Sequence, residues 1–383
     1  MKKSPRDAVQ ALLPAAAALV LLMLGLSSAG PVRAATFQDL YTLTVMPDAS
    51  QADPRAAAIQ SAMRRLLERV TGDRGAALDP DLQSIVEDAS SYVRSYATLG
   101  GDKAQIGFIA SKVDRELASI GRPVWGPERP LTLVWIAVDS GHGERTLLSA
   151  DGSGAAELSP KMAQLIADIH MQLSDAADER GLPIVLPLLD LQDLGRIGFA
   201  DVWGGFDERI EQASERYGAD SILIGRVLET NLGQDVQWTL LRGAEQRVTS
   251  GESVAAGLEW LADQYAQEYS IVGGVRTLHV VVQDVGSLDD YGRVMSYLDS
   301  LNSLQSVDVE SLENGVLTLR IAARGDTGVL ARTLSLGRIL QLVDSGSSEN
   351  GGPGATDLNG DSLGGGGGAN TLVFRVARSG PTR

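Results

Sequence analysis

Four carboxylates, Asp190, Asp193, Asp201 and Asp207, crowd the stretch after the apolar run Pro183 to Leu189. In open α/β sheets, ligand and catalytic sites form outside the carboxyl ends of the strands. Asp190 closes Pro187-Leu188-Leu189-Asp190 and so stands where a functional carboxylate would sit if that run is such a strand. Asp190, Asp193 and Asp201 could then divide acid and base work in a hydrolase. Asp is equally a capping residue, because its side chain accepts from backbone N–H groups two and three positions on. No His or Lys base lies nearby in the sequence, which favours capping.

A second group is Trp125, Arg129 and Trp135, with Pro127 and Pro130 between them. Trp125-Gly126-Pro127 bends the chain, and the Arg129 guanidinium can stack on an indole. The group reads first as a rigid hinge and second as an exposed aromatic patch for a partner. The histidines are His142, His170 and His279, none with a second His three or four residues away. A metal site or triad built on them needs long-range assembly. Asp357, Asn359 and Asp361 imitate the opening of a calcium loop. That loop fails at Ser362, where Gly is needed, and at Gly368, where a bidentate Glu is needed. No Walker, GxSxG, HExxH or GxGxxG pattern occurs, so no catalytic residue, cofactor or metal is assigned.

The first 34 residues carry an address. Lys2, Lys3 and Arg6 precede the apolar run Leu12 to Leu26, and Val32-Arg33-Ala34 offers small residues for cleavage before Ala35. That is the layout of a secretory signal peptide, too short in its apolar core for a secure membrane span. The rival is an uncleaved N-terminal anchor, which Pro14 inside the run and the cleavage site disfavour. The chain carries −16 overall, and this segment contributes +3, so the remainder carries about −19. Such acidity opposes nucleic acid and anionic bilayers at long range. With no cysteine, disulfides, thiolate catalysis and Cys-ligated zinc or iron–sulfur centres are excluded together.

Elements to position these groups can be read from periodicity. The expected fold class is mixed α/β and α+β in three modules. A small α+β module spans 35–129. Its strand lies near Phe37 to Val45. A helix starts at Asp53-Pro54 and ends at Gly72. A second helix carries Leu82, Ile85, Val86, Ala89, Val93 and Tyr96 and stops at Gly100-Gly101. A strand at Ile106 and Phe108 and a short helix at Val113, Leu117 and Ile120 follow. A three-layer α/β domain spans 130–273. Its buried strands are Leu131–Val138, Pro183–Leu189 and Ser221–Leu228. Helices cover Pro160–Arg180 and the Phe206–Tyr217 stripe, and a hairpin and a closing helix follow. The third module, 274–344, reads β-α-β-β-α-β, the ferredoxin-like order, with Asn314-Gly315 as its hairpin turn. Residues 345–370 form a Gly/Ser-rich linker. Residues 371–383 form a tail whose Thr371–Ala377 alternates, as a returning strand or a partner-binding segment would.

Several runs resemble the skeleton of an exported proteobacterial family, the domain of unknown function DUF2066. They are Trp125-Gly126-Pro127-Glu128-Arg129-Pro130, Leu133-Val134-Trp135-Ile136-Ala137-Val138, Arg180-Gly181-Leu182-Pro183, Leu186-Pro187-Leu188-Leu189-Asp190 and Arg216-Tyr217-Gly218-Ala219-Asp220. The resemblance covers roughly Thr36 to Ile271 and implies a Gram-negative envelope location, with no activity or catalytic residue to carry over. The expected function is that of a periplasmic, non-enzymatic protein that binds or scaffolds envelope components. It would have an envelope protein partner, no nucleic acid and no stable membrane span once the signal is cleaved. Two alternatives stay open: a small-molecule-binding module at the carboxyl edge of the middle sheet, and a hydrolase using Asp190 and its neighbours.

Overall fold

The computed structural model describes residues 40–152, 158–345 and 371–377. The segment expected to be a signal peptide, the calcium-like run at Asp357 and residues 346–370 lie outside the described residues. The chain has the expected mixed class, with three sheets among the described residues, the middle and third partly parallel, and helices packed on them.

The first sheet has the order β1-β3-β2. β1 (Thr42–Val45) turns Leu43 and Val45 inward. α1 (Pro54–Thr71) begins where Asp53 accepts from the Ala56 N–H and Pro54 supplies a preset φ. It ends where Gly72 takes φ +72°. Its Ile59, Met63, Leu66, Leu67 and Val70 fill the core. The expected single helix from Leu82 to Tyr96 does not form. Asp79 caps a short 3-10 turn, α2 is only Gln83–Glu87, and a second 3-10 turn spans Ala89–Tyr92. Val93–Thr98 is then a strand, β2, paired antiparallel with β3 (Ala104–Phe108). Gly100-Gly101 is the connection of that hairpin and not a helix stop. A β3 edge available for pairing outweighs the weak helical periodicity of Val93 and Tyr96. α3 (Ala110–Ser119) closes the unit through Val113 and Leu117.

The middle sheet runs β5-β4-β7-β8-β9. β4 (Thr132–Asp139) is buried at every residue and pairs parallel with β7 (Ser221–Thr230). β8 (Gly233–Arg242) and β9 (Glu245–Gly251) continue antiparallel. Leu133, Trp135 and Ala137 face one core, and Val134, Ile136 and Val138 face another, which the period of two along a strand requires. The second core is covered by α4 (Pro160–Arg180) and α8 (Val254–Tyr269). The first is covered by α5 (Leu191–Leu194), α6 (Phe199–Gly204) and α7 (Asp207–Ser214). Trp238 packs flat against Gly225 and Gly257, where a Cβ would lie within 2.6 Å and 2.2 Å of its ring. The expected strand Pro183–Leu189 shrinks to Ile184–Val185, β6, which pairs with only Thr132 and Leu133. The short β5 (Arg145–Leu147) occupies the same β4 edge at Ala137 to Asp139 and limits it there.

The third sheet contains the expected β-α-β-β-α-β series: β10 (Val275–Gln283), α9 (Leu288–Asp299), β11 (Leu304–Glu313), β12 (Val316–Arg324), α10 (Thr327–Ser335) and β13 (Leu340–Ser345). Asn314 and Gly315 both take positive φ at the β11–β12 turn, as a two-residue hairpin demands. The tail is not separate. Thr371–Val376, β14, lies between β10 and β13, parallel to the first and antiparallel to the second. A four-stranded ferredoxin-like sheet would pair β13 directly with β10; here the order is β11-β12-β10-β14-β13. Leu372, Phe374 and Val376 fill the resulting gap from within. No helix among the described residues is long and apolar enough to cross a membrane.

Candidate functional site

The acidic segment is a set of caps. Asp190 is the N-cap of α5 and accepts from Gln192 N and Asp193 N at 3.0 Å each. It also forms a two-pronged ion pair with Arg216 at 2.7 and 2.9 Å. The hydrogen bonds from Arg216 hold its carboxyl down at about 2. Asp193 is fully buried. It accepts from Leu189 N at 3.0 Å, from Arg216 at 3.0 Å and from the Tyr217 hydroxyl. Burial, with that hydrogen bond, pushes the Tyr217 hydroxyl up to about 12. Asp201 accepts from Gly198 N at 2.8 Å and pairs with Arg209 at 2.7 Å. Asp190 thus sits against the turn leading into β7 and not at the carboxyl end of the parallel strands. The short β6 is the cause, since the chain leaves the sheet five residues before Asp190.

These partners set unequal costs. Asp193→Asn should lower stability by about 2–3 kcal/mol, because an amide cannot accept three bonds there and the site is dry. It also frees Leu189, which is held at φ +51°. Asp190→Asn should cost clearly less, because Asn caps nearly as well and the Arg216 pair is solvent-exposed. Because the Asp190 pKa is depressed on folding, its contribution is present above about pH 4 and fades as pH falls toward 2. Urea midpoints of the two variants decide this. A larger loss from Asp190→Asn would reverse the assignment.

Trp125, Arg129 and Trp135 are all fully buried, so they form no exposed patch. Trp135 faces the α5–α7 side, donates to Ser214 Oγ at 2.9 Å and meets the Tyr217 ring edge-on. Trp125 and Arg129 form a lock, with the guanidinium 3.7 Å from the indole centroid. The Arg129 N–H groups donate to Gly126 O, Arg180 O, Gly181 O, Arg69 O and Trp125 O at 2.6–3.1 Å. Two of those carbonyls belong to the last turns of α1 and α4, the negative ends of helix dipoles. Burial and the neighbouring Arg69 push the Arg129 guanidinium well below its usual range. Arg69 donates to Leu40 O, Thr42 O, Glu179 O and Asp178 O. Arg180 donates to Gly72 O at 2.9 Å and pairs with Glu259 and Asp263 of α8. Three arginines therefore bind the first sheet's helix to the middle sheet's helices. Sequence reasoning missed Arg69 and Arg180. The available signal was an arginine in the last turn of each helix, at Arg69-Val70-Thr71-Gly72 and Arg180-Gly181.

Beside this lock opens a cleft of about 660 Å³, lined from four separated parts of the chain. They are Leu40–Tyr41, the α3 face with Ser111, Asp114, Arg115 and Ala118, the hinge from Val124 to Glu128 with Ile271–Gly273, and Asn302, Ser303, Gln305 and Arg324 of the third sheet. Tyr41 donates to Asp114 Oδ1 at 2.5 Å. Burial raises both the Tyr41 hydroxyl and the Asp114 carboxyl. Glu128 reaches across to accept from Asn302 N and Ser303 N, and burial raises its carboxyl too. Arg122 is spent on Asp79 and Asp81. The carboxyl edge of the middle sheet carries a smaller cavity of about 320 Å³, with Ser140, His142, Glu144, Lys161, Asp168 and Glu229. Glu144 there is committed to the Ser159 N–H and hydroxyl at the start of α4. Among the described residues no three His, Asp or Glu side chains converge to hold a metal ion.

No curated protein and no solved structure matches the chain. The family comparison corrects the resemblance to DUF2066. Several residues of the runs that carried it do local structural jobs. Gly218 ends a 3-10 turn at φ +62°, Asp220 accepts from Leu131 N at 2.8 Å, and Gly181 ends α4. Residues 34–126, whose described part is the first sheet with its helices as far as the hinge, match a different family, the Domain of unknown function (DUF8605).

Proposed function

We propose that this is an exported, non-enzymatic binding protein whose ligand site is the cleft between the first sheet, the hinge and the third sheet. One observation carries the reading: a cavity of about 660 Å³ whose walls come from elements cross-tied by Arg129, Glu128 and the Val124–Ile271 bridge. Cavities of that size at module junctions are where small molecules bind. A site with pre-tied walls also avoids part of the ordering cost of binding. The export half of the proposal rests on Lys2, Lys3, the Leu12–Leu26 run and Val32-Arg33-Ala34. The acidic remainder supports a partner other than nucleic acid.

The test is steric. Ala118 is an exposed residue of α3 that lines the cleft. Ala118→Trp should fill the cavity and leave the melting temperature within a few degrees, because no core contact changes. The neutral apolar dye N-phenyl-1-naphthylamine should brighten with the unsubstituted protein and fail to do so with the variant. Equal dye binding by both proteins would move the site away from this cleft.

A further inference from the structure

The cleft gathers three arginines on an acidic molecule. The chain carries −16, yet the cleft is lined by Arg115, Arg122 and Arg324 against Asp114 and Glu128. The two acids are already engaged, Asp114 by the Tyr41 hydroxyl and Glu128 by two backbone N–H groups. Arg122 is paired. Arg324 at the end of β12 is half-buried, and among the described residues its side chain makes no hydrogen bond or ion pair, although Asp114 feels its charge. Arg115 at the rim likewise has no partner among them. A half-buried guanidinium has five N–H donors that want acceptors, and leaving them unmet is costly.

Two further features point the same way. α3 starts at Ala110 with no side-chain cap, since Ile109 cannot supply one. Ala110 and Ser111, whose N–H groups open that helix, line the cleft, so the positive end of the helix borders it. Ser303 Oγ is a buried hydroxyl with no hydrogen-bond partner among the described residues, and Ser303 too lines the cleft. The remaining wall is apolar. Val124, Pro127, Ile271 and Val272 lie along it, and Val272 leaves 58 % of its surface uncovered.

Resting on the cleft as the ligand site, we propose that it takes an amphipathic organic acid. Arg324 holds the anionic group, with Arg115 at the rim, and the apolar body lies along Val124, Pro127, Ile271 and Val272. A planar guanidinium suits a carboxylate, sulfonate or phosphate equally, since each offers two oxygens at the spacing of its fork.

The test pairs two dyes on the full chain. The anionic probe is 1-anilinonaphthalene-8-sulfonate; the neutral one is N-phenyl-1-naphthylamine, which has the same rings and no acid. Arg324→Gln should weaken the anionic dye about tenfold or more and leave the neutral dye within twofold. Arg324→Lys should recover part of the loss, because it keeps charge without the fork. Unchanged affinity of Arg324→Gln for the anionic dye would overturn the proposal. Equal loss of both dyes would overturn it too, since Arg324 would then be shaping the cavity and not reading the acid. Failure of the cleft itself looks different: neither dye would respond to Ala118→Trp.

Discussion

Arg129→Ala should cost about 4 kcal/mol or more and loosen the first sheet from the middle one. The substitution leaves five carbonyls with no donor, four of them in buried hydrogen bonds and the fifth, Gly126 O, part-buried. Each orphaned buried acceptor costs about 1–3 kcal/mol unless water enters, and the vacated volume beside Trp125 adds a cavity cost. Relief of repulsion from Arg69 and Arg180 offsets part of this. The loss is a large share of the roughly 5–15 kcal/mol that holds a typical fold. Arg129→Lys should rescue little. A compact ammonium with three donors cannot serve carbonyls from α1, α4 and the hinge together. The measurement is a urea midpoint together with acrylamide quenching of tryptophan emission under native conditions, which should rise as Trp125 becomes accessible. A midpoint equal to that of the unsubstituted chain would show that water replaces the guanidinium at no cost.

Leu133→Asp and Leu223→Asp should each abolish the native melting transition of the middle sheet. Both side chains are fully buried, Leu133 in the core under α5–α7 and Leu223 in the core under α4 and α8. They are therefore independent probes of the two faces. Both positions sit inside hydrophobic clusters, in β4 and in β7, and an unpaired buried charge costs several kcal/mol. The carboxylate's escape is to stay protonated, so both variants should regain stability as pH falls through the raised pKa of the new acid. Near-ultraviolet circular dichroism across pH 4 to 8 is the readout. A native signal at pH 8 from either variant would mean that its face of the sheet is open to solvent.

Local signals decided much of this architecture. Asp53-Pro54 and Gly72 bound α1, Ser287 caps α9, and Asn314-Gly315 turns β11 into β12. Each rests on backbone sterics or a hydrogen bond within a few residues. The nearly continuous apolar run in β4 announced burial on both faces, because a strand's side chains alternate and both sets were largely apolar. The capping role of Asp190 was legible for the same reason. Its acceptors' donors are two and three residues away. Tertiary structure decided what depends on competition for partners. Val93–Thr98 became a strand because β3 offered an edge, and Pro183–Leu189 lost most of its length where β5 limits it along the edge of β4. Thr371–Val376 entered the middle of a sheet whose order no local pattern specifies. The cleft and the arginine lock belong entirely to this second class. Tyr41 and Asp114 are 73 residues apart, and Arg129 and Arg69 are 60 apart. Composition and periodicity report what one segment wants to bury. Which distant segments share a cavity is settled only when the helices and sheets have packed.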